Sequence, residues 1–416
     1  MRESNRLEWK ETVTNTFLKT VSAFSNYNGG NIVFGIDDQG NIKGIDDFEE
    51  ARLNIENKIN DSISPQPRYT ISVQEKERTI TVHVEAGENK PYYYKSKAYK
   101  RNDTATIEVD ALEHTRLILE GKHISFESLT ADNQNLTFEV LERYLKKNVH
   151  IQKLNKDILK TLNLYSDASG YNHTAEIVAD QNRFPGIDIV KFGADINIMQ
   201  KRATFSNQSV LKSYEEAMGI FEDYYTFEEI IGAERKRIEK IPKEAFREAV
   251  ANAIIHRTWD VNAQIRIMMC NDRIEVISPG GLPMGISEEE YLSGRISMLR
   301  NQSLAHLFYR LNIVEIFGTG ILRIKQMYAD SVSKPRFEVT EHTISVILPI
   351  VDTQDNLTKD EKVIYRVLSS TMAKSVSEIT SNVEFGRSKV TSLLKTMAEK
   401  GCVVIEGNGR GTKYRK

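Results

Sequence analysis

The chain has 416 residues, of which 40% are hydrophobic and 27% are charged. These fractions are typical of a soluble globular protein, and the length is enough for about two or three domains with buried cores. The formal net charge of −2 excludes a polycation that binds nucleic acid or membranes through bulk charge, so any such attraction must come from local patches.

The sequence also predicts where the protein resides. Cys270 and Cys402 lie far apart without a CxxC motif or a Cys/His cluster, which excludes a zinc ribbon and favours a reducing compartment. The first residues, "MRESNRLEWKET", lack the apolar core of a signal peptide. Because no uninterrupted apolar run approaches ~20 residues, we expect a cytoplasmic protein that does not bind membranes.

Residues 1–124 form the first predicted domain, in which short β runs such as "NIVFGID" and "TITVHVE" dominate. Helical spacing predicts helices in "TNTFLKTVSAFSNYN" and "DDFEEARLNIENKINDSI", and "QEKERTI" predicts a hairpin turn. The glycines of "NYNGGNIVFGIDDQGNIKGI" lack the GxxxxGK[ST] spacing of a phosphate-binding loop. We therefore expect Gly29 and Gly30 to end a helix and open a strand, and Gly40 to serve a hairpin turn. A polar stretch at residues 125–135 predicts a linker.

Residues 137–350 form the second predicted domain, with mixed α and β patterns. The segment "IPKEAFREAVANAIIHRTW" predicts a helix with Pro242 in its first turn. Strands are predicted at "AQIRIMMCN", "RIEVISPGG" and "TISVILPI".

Two features of this domain suggest nucleotide chemistry. Glu248 and Asn252 lie four residues apart, hence on one helix face, where an amide oxygen can join a magnesium shell and a carboxylate can orient water. The "GTG" of Gly318–Gly320 precedes an apolar helix and offers backbone N–H groups to a phosphate. Each such motif is weak when taken alone. An ExxxN spacing on a helix is common by chance, and a Pro-Gly-Gly sequence such as the one that contains Gly280 and Gly281 is often only a turn.

The order of motifs "REAVANAIIHR…NDRIEVISPGGLP…RNQSLAHLF…VEIFGTGILRI" is more specific. It resembles a bacterial family that joins a Schlafen-type AlbA-like domain to a divergent GHKL (gyrase, histidine kinase and MutL type) ATPase domain. Members are described as transcriptional regulators or as relatives of ATP-dependent helicases. The resemblance implies an α/β sandwich that binds ATP and Mg²⁺. It implies Glu248 as the base, Asn252 as a metal ligand, Asp272 as the adenine-side acid, and cofactor contacts at Gly280, Gly281, Gly318, Thr319 and Gly320, with Phe317 opening the phosphate loop.

The sequence departs from that family at one motif. A standard GHKL protein has DxGxG after its first strand, whereas this chain has Asp272, Arg273 and Ile274 there, with its glycines following later. The resemblance therefore implies nucleotide binding more directly than hydrolysis. His256 and Arg257 complete a family-like "HR", and they either tie the helix end to the sheet or act in catalysis.

Residues 356–416 form the third predicted domain. Three short amphipathic helices followed by a Gly-rich hairpin, "CVVIEGNGRGTKYRK", match the plan of a winged helix. Such a module places its third helix in the major groove and its wing on the phosphates. The predicted contacts are Arg387, Ser388, Lys389, Lys395, Arg410 and Lys413. The alternative is a three-helix unit that mediates protein contacts or dimerisation.

The N-terminal domain resembles the Schlafen AlbA-like domain over residues 3–110, through "ESNRLEWKET" and "SAFSNYNGGNIVFGIDDQGNIKGI". The resemblance implies an α/β fold that handles RNA or DNA. It also implies that Glu3, Glu8 and Asp38 form a metal-dependent endoribonuclease site, with Lys10 as a phosphate contact. A divalent cation held by carboxylates would orient water for phosphodiester cleavage. The alternative is that these charges are solvated and that "DDQG" is an ordinary turn.

The stretch "KPYYYKSKAYKR" interleaves tyrosines with cations. Tyrosines can stack on unpaired bases while cations meet phosphates, and the predicted contacts are Lys95, Lys97, Lys100 and Arg101. Alternatively, every second tyrosine faces the core of a strand.

Together these patterns predict an α/β multidomain protein with an α+β AlbA-like domain, a GHKL-like α/β sandwich and a winged helix-turn-helix. The predicted function is that of a homo-oligomeric transcriptional regulator whose ATP state tunes its binding to DNA or RNA, with Mg²⁺ or Mn²⁺ as the metal. The first alternative is a metal-dependent endonuclease acting in defence, on RNA or single-stranded DNA. The second is a catalytically inactive scaffold that dimerises through its middle domain.

Overall fold

The computed structural model describes residues 2–231, 234–283, 286–294, 298–315, 318–329, 331, 333–351, 357–369, 372–399, 402–407 and 409–415. The chain divides into two compact units. The first unit comprises Met1–Asn135, Asn155–Glu176 and Leu282–Ser287; the second comprises Leu136–Leu154, Ile177–Gly281 and Glu288–Lys416. The division into three domains stays a prediction.

Strands and helices alternate in the first 135 residues. In chain order they are β1 (Leu7–Lys10), α1 (Phe17–Asn26), β2 (Gly30–Phe34), α2 (Phe48–Ser62), β3 (Ile63–Ser64), β4 (Tyr69–Gln74), β5 (Thr79–Val84), β6 (Tyr93–Tyr94), β7 (Lys97–Asn102), β8 (Ala105–Glu108) and α3 (Ala111–Gly121). One four-stranded sheet has the order β1-β2-β5-β4, and another has the order β3-β6-β7-β8. Strand β1 is parallel to β2, whereas β5 is antiparallel to both β2 and β4.

Helix α1 is the centre of the first unit's core. Its side chains Phe17, Val21 and Phe24 recur at helical spacing and pack with Phe34 of β2 in one buried cluster. The predicted helices and the β4–β5 hairpin are confirmed. Gly29, with φ +67°, lies between the end of α1 and the start of β2, and its left-handed conformation redirects the chain into that strand.

The predicted linker is more structured than its composition indicates. A short 3-10 helix spans Phe126–Ser128, and the side chains of Glu127 and Ala131 are buried. Polar composition alone therefore misjudged this stretch, because its burial depends on contacts distant in sequence. The next elements are α4 (Glu139–Asn148), α5 (Lys156–Thr161), β9 (Tyr165–Ser166), β10 (Gly170–Tyr171) and α6 (His173–Val178).

A six-stranded sheet organises the second unit. The elements are β11 (Ile187–Phe192), β12 (Met199–Phe205), α7 (Val210–Tyr225), β13 (Thr226–Ile231), β14 (Glu234–Glu239), α8 (Lys243–His256), β15 (Ile265–Met269), β16 (Arg273–Pro279), α9 (Glu288–Ser293), α10 (Gln302–Arg310), α11 (Gly320–Met327), β17 (Arg336–Val339) and β18 (Thr343–Pro349). The strand order is β12-β11-β15-β16-β18-β17. Only the β11–β15 pair within this sheet is parallel. Helix α8 packs on β16 and β18 and contacts both α7 and α11.

The last elements are α12 (Lys359–Val367), β19 (Lys374–Ser375), α13 (Val376–Thr380), α14 (Arg387–Glu399), β20 (Val404–Glu406) and β21 (Lys413–Arg415). Thr358 with Glu361 and Ser375 with Glu378 form capping boxes that start α12 and α13. The three helices bury Ile364, Ile379 and Leu394 in one cluster. A second short 3-10 helix, Gly409–Gly411, lies between β20 and β21, which pair as the predicted hairpin.

These elements make a mixed α/β multidomain protein, as predicted. Within the described residues, no helix combines the length and the apolarity needed to cross a bilayer.

Candidate functional site

Helices α8 and α11 bring three of the predicted residues into contact. Asn252 Nδ2 donates a hydrogen bond of 3.2 Å to Glu248 Oε1, one turn earlier in α8. A Cβ atom at Gly320, the first residue of α11, would lie 2.5 Å from Glu248 Oε1 and 2.6 Å from Asn252 Nδ2. A side chain at this position would have to displace the ends of both polar side chains, so the backbone of Gly320 lies directly against them.

The carboxyl group of Glu248 is buried, with 4% of the residue exposed. Burial raises the pKa of Glu248, whereas the hydrogen bond from Asn252 and the charges of Arg323 and Arg247 oppose that rise. The negative charge of Glu315 raises the pKa of Glu248 further. A raised pKa moves a carboxyl group towards the range in which general acid–base catalysis works.

The side chains at this contact fit a magnesium ion that is also bound by phosphates. Asn252 Oδ1 accepts no hydrogen bond from the described residues, so its oxygen is available as a ligand. Magnesium keeps several water ligands and takes few protein ligands when phosphates coordinate it. No group of three or more His, Cys, Asp or Glu side chains in the described ranges could hold a metal ion by itself.

The glycine pair after β16 has a structural role. Gly280 has φ +105°, and a Cβ atom there would lie 1.9 Å from Thr258 Oγ1, just beyond the end of α8. Arg300 donates hydrogen bonds to the carbonyl oxygens of Gly281 (2.7 Å) and His256 (3.1 Å). The pair thus forms a tight turn that joins the end of α8 to the sheet, and its contact with a cofactor stays a prediction.

Asp272 lies at the opposite end of β16 from these glycines, and its role beside the adenine stays a prediction. It lies in the β15–β16 turn, where its exposed carboxylate is 3.0 Å from Arg273 Nη1. The seven-residue strand β16 separates it from Gly280, a span of ~20 Å in an extended chain.

The "HR" pair ends α8. Arg257 is fully buried and donates hydrogen bonds to the carbonyl oxygens of Pro185 and Val261. Its guanidinium lies 4.4 Å from the centre of the Trp259 ring, and burial lowers the pKa of Arg257 to about 10. Asn301, which the motif reading missed, donates to the carbonyl oxygens of Ile255 (2.6 Å) and Arg257 (2.8 Å). Arg257 therefore ties the helix end to the segments that precede β11 and β15.

The turn before α11 completes the contact with α8. Gly318 has φ +66°, a conformation that favours glycine. Thr319 is the N-cap residue of α11, but its side chain makes no capping hydrogen bond. Phe317 lies outside the described residues. Sequence reasoning missed Arg247, Glu315 and Arg323, and the one available signal was the position of Arg323 three residues after Gly320.

In the first unit, Glu8 is the centre of a buried network. The residue is 5% exposed, and its Oε2 accepts hydrogen bonds from Thr20 (2.5 Å) and Arg101 (2.6 Å). Lys10 Nζ lies 2.6 Å from Glu8 Oε1. Both oxygens are therefore held by side chains of this unit, and Glu8 links β1 to α1 and β7.

The other two predicted carboxylates do not join Glu8 as a metal-holding group. Glu3 accepts a hydrogen bond of 2.8 Å from the backbone N–H of Trp9. Asp38 is exposed, and its neighbour Asp37 forms the turn by accepting from the backbone N–H groups of Gln39 and Asn41. Hydrogen bonds from Asn41 lower the pKa of Asp37. Glu3 is thus engaged by the backbone and Glu8 by nearby side chains, whereas Asp38 is exposed. A nuclease role for the three carboxylates stays a prediction.

The basic stretch is largely neutralised by carboxylates of the same unit. Lys97 pairs with Glu108, and Lys100 pairs with Glu113, each at 2.7 Å. Lys95 is exposed in the β6–β7 turn. Tyr92, Tyr94 and Tyr99 are buried in the core, which corrects the idea that they stack on bases and favours the alternative of core-facing tyrosines.

Helix α14 presents a polar face that is open to solvent. Arg387, Ser388 and Lys395 are exposed on this helix, whereas Val390 and Leu394 face the core. Lys389 is also exposed, but it pairs with Asp360 at 2.6 Å. Lys413 is exposed on β21, and the side chain of Arg410 lies outside the described part of the chain.

Two known protein families match separate parts of the chain. Residues 3–110 match the family described as "Schlafen, AlbA_2". Residues 262–348 match the family described as "Putative ATP-dependent DNA helicase recG C-terminal". The chain carries a Schlafen AlbA_2 domain and a RecG-like C-terminal domain. The second match includes Gly318–Gly320 but not α8, so Glu248 and Asn252 lie just outside it.

Similarity to solved structures is low. The DIP2311 protein from Corynebacterium diphtheriae is 17% identical, with a TM-score of 0.49 over 99% of this chain and 92% of that chain. A solution structure titled "N-terminal Domain of Putative ATP-dependent DNA Helicase RecG-related Protein", from Nitrosomonas europaea, is 21% identical with a TM-score of 0.21. It covers 26% of this chain and 83% of that chain. No curated protein matches the chain.

Proposed function

We propose that this protein is a nucleic-acid-binding regulator that binds ATP between α8 and the Gly318–Gly320 turn. The observation that carries the proposal is the contact at Gly320, where a missing side chain brings backbone against Glu248 and Asn252. A glycine turn at a helix N-terminus next to an amide and a buried carboxyl group is a suitable place for phosphates. The match to the RecG-like family supports the same proposal, and a GHKL-type fold for the second unit is part of it.

Each residue at the contact has a proposed role. The backbone N–H groups of the Gly318–Gly320 turn bind phosphate, and Asn252 Oδ1 holds the magnesium ion. When bound, the metal neutralises phosphate charge. The buried carboxyl group of Glu248 holds a proton or orients water, because burial raises its pKa.

The proposed nucleic-acid contacts lie in the C-terminal part of the chain. Arg387, Ser388 and Lys395 at the exposed face of α14 would meet the major groove, and Lys413 of β21 would meet the backbone, as in a winged helix. The order of three helices and a hairpin supports this proposal. The Schlafen AlbA_2 match supports a second nucleic-acid contact in the first unit.

Calorimetric titration of the full chain with ATP and Mg²⁺ tests the central proposal. We expect binding by the wild type and a loss of at least about tenfold in Asn252→Ala and Gly320→Ala. Gly219→Ala on α7 is the matched control, because a Cβ atom there meets nothing within 4 Å. Equal ATP affinity in all four proteins would place the nucleotide elsewhere, and no binding by the wild type would end the proposal.

A further inference from the structure

Arg323 lies one turn into α11, and its side chain is 34% exposed. Residues three apart on a helix share a face. Because Gly320 faces Glu248 and Asn252, Arg323 projects from the same side of α11 as the proposed nucleotide contact. Its backbone N–H donates to the carbonyl oxygen of Thr319, so it is fixed to the turn that precedes the helix.

The guanidinium of Arg323 is held only weakly. Its Nη2 atom lies 4.0 Å from Glu315 Oε2, which is beyond hydrogen-bond distance, and the Glu315 side chain is 49% exposed. Ion pairs of this exposed kind contribute little to stability. No other side chain in the described ranges pairs with Arg323.

Two other observations connect Arg323 to the site. Arg323 and Glu315 both lie close enough to Glu248 for their charges to act on its carboxyl group. Arg247, the residue before Glu248, has a buried Nε atom without a hydrogen-bond partner. Arg323 and Arg247 thus place positive charge near Glu248, and the carboxylates of the described residues bind these two guanidinium groups only in part.

We infer that Arg323 binds the phosphate groups of the nucleotide, and that Glu315 holds the guanidinium when no nucleotide is bound. This inference rests on the proposed ATP site. The planar guanidinium can donate two hydrogen bonds to a phosphate at once. Nucleotide binding thus replaces the long Arg323–Glu315 ion pair with charge-assisted hydrogen bonds to phosphate. Arg323 therefore raises the affinity for ATP and does not affect the affinity for adenosine, which has no phosphate.

The experiment compares ATP with adenosine in calorimetric titrations of the full chain with Mg²⁺. We expect Arg323→Gln to weaken ATP binding by about 10- to 100-fold and to leave adenosine affinity unchanged. Arg323→Lys keeps the charge and should recover part of the loss. Glu315→Gln removes the competing carboxylate and should tighten ATP binding by about two- to fivefold. The control is Arg310→Gln, which removes an equal charge at an exposed position of α10.

The outcomes separate this inference from the function on which it rests. If Asn252→Ala loses ATP while Arg323→Gln binds it as the wild type does, the inference is wrong and the proposed site stands. If Arg323→Gln weakens ATP and adenosine equally, Arg323 acts by shaping the site and the inference is again wrong. Absence of ATP binding by the wild type overturns both. A thermal melt of each variant shows that it is folded.

Discussion

Glu248 is a buried carboxyl group whose hydrogen-bond partner is the amide of Asn252 on the same helix. Burial raises its pKa above the ordinary 4.5, so the folded protein holds the proton more tightly than the unfolded chain does. The free energy of unfolding must therefore fall as pH rises from about 4.5 through the raised pKa. The ionised carboxyl group of Glu248 thus lowers the stability of the fold. The same carboxyl group accepts the hydrogen bond of Asn252 and lies against the backbone of Gly320.

Glu248→Gln should remove this pH dependence. We expect the variant to be more stable than the wild type at pH 7.5 and equally stable at pH 4, as measured by urea denaturation. Glu244→Gln, at an exposed position of the same helix, is the control and should show no such difference. A wild-type chain that matches Glu248→Gln at both pH values would show that the carboxyl group is not destabilised by burial.

The elements of the first unit are joined by the network around Glu8, which links β1 to α1 and β7. Arg101→Ala would leave the carboxylate of Glu8 buried with only Lys10 as a cation, so we expect a loss of about 3–5 kcal/mol in the free energy of unfolding. Thr20 and Thr106 remain as hydroxyl groups near that site. Chemical denaturation followed by circular dichroism measures the loss.

A double-mutant cycle distinguishes a pair from two independent residues. The variant Glu8→Leu with Arg101→Leu should be more stable than Arg101→Leu alone, because no charge is then left buried. Additive losses in the two single variants would contradict the pairing. The cycle also bears on the nuclease alternative. A strong coupling between Glu8 and Arg101 would show that the Glu8 carboxylate stabilises the fold rather than being free to hold a metal ion.

Helix α14 carries the prediction for DNA. The double variant Arg387→Gln and Lys395→Gln should weaken binding to duplex DNA and reduce the slope of log K against log salt by about 1 per lost phosphate contact. Arg366→Gln, at an exposed position in the last turn of α12, is the control. Fluorescence anisotropy at several salt concentrations gives both quantities, and an unchanged slope would remove α14 from the interface.

Local patterns were enough to predict many of the elements. Helical spacing placed α1, α8 and α14, and the four-residue spacing of Glu248 and Asn252 placed them on one face. The approach of Gly320 to that face was predicted only through a family resemblance, because it depends on packing between helices distant in sequence. The same limit explains Arg101, which reads as a surface cation and is buried beside a carboxylate.

At the scale of the whole molecule, the proposal is that nucleotide binding changes nucleic-acid binding. We expect ATP with Mg²⁺ to change the affinity for DNA or RNA, or the oligomeric state, by a factor of about 5 to 150, the usual range of coupling between sites. Anisotropy and sedimentation with and without ATP measure these changes. Asn252→Ala is the matched control, and addition of ATP with Mg²⁺ should change neither its affinity for nucleic acid nor its oligomeric state. If ATP binds but alters neither quantity, the two activities are independent.

The order of strands in the six-stranded sheet has a consequence for how the protein is made on the ribosome. The sheet β1-β2-β5-β4 is complete once Val84 has emerged, whereas β11 waits for β15, and β16 waits for β18, which ends at Pro349. At translation rates of about 5–20 residues per second, the later sheet stays open for on the order of tens of seconds after the first could form. Strand β11, buried along most of its length in the finished protein, lacks its partner β15 for about 4–15 s, the time needed to translate from Phe192 to Met269. We therefore expect the nascent chain to depend on chaperones, and co-expression of chaperones to raise the yield of folded protein.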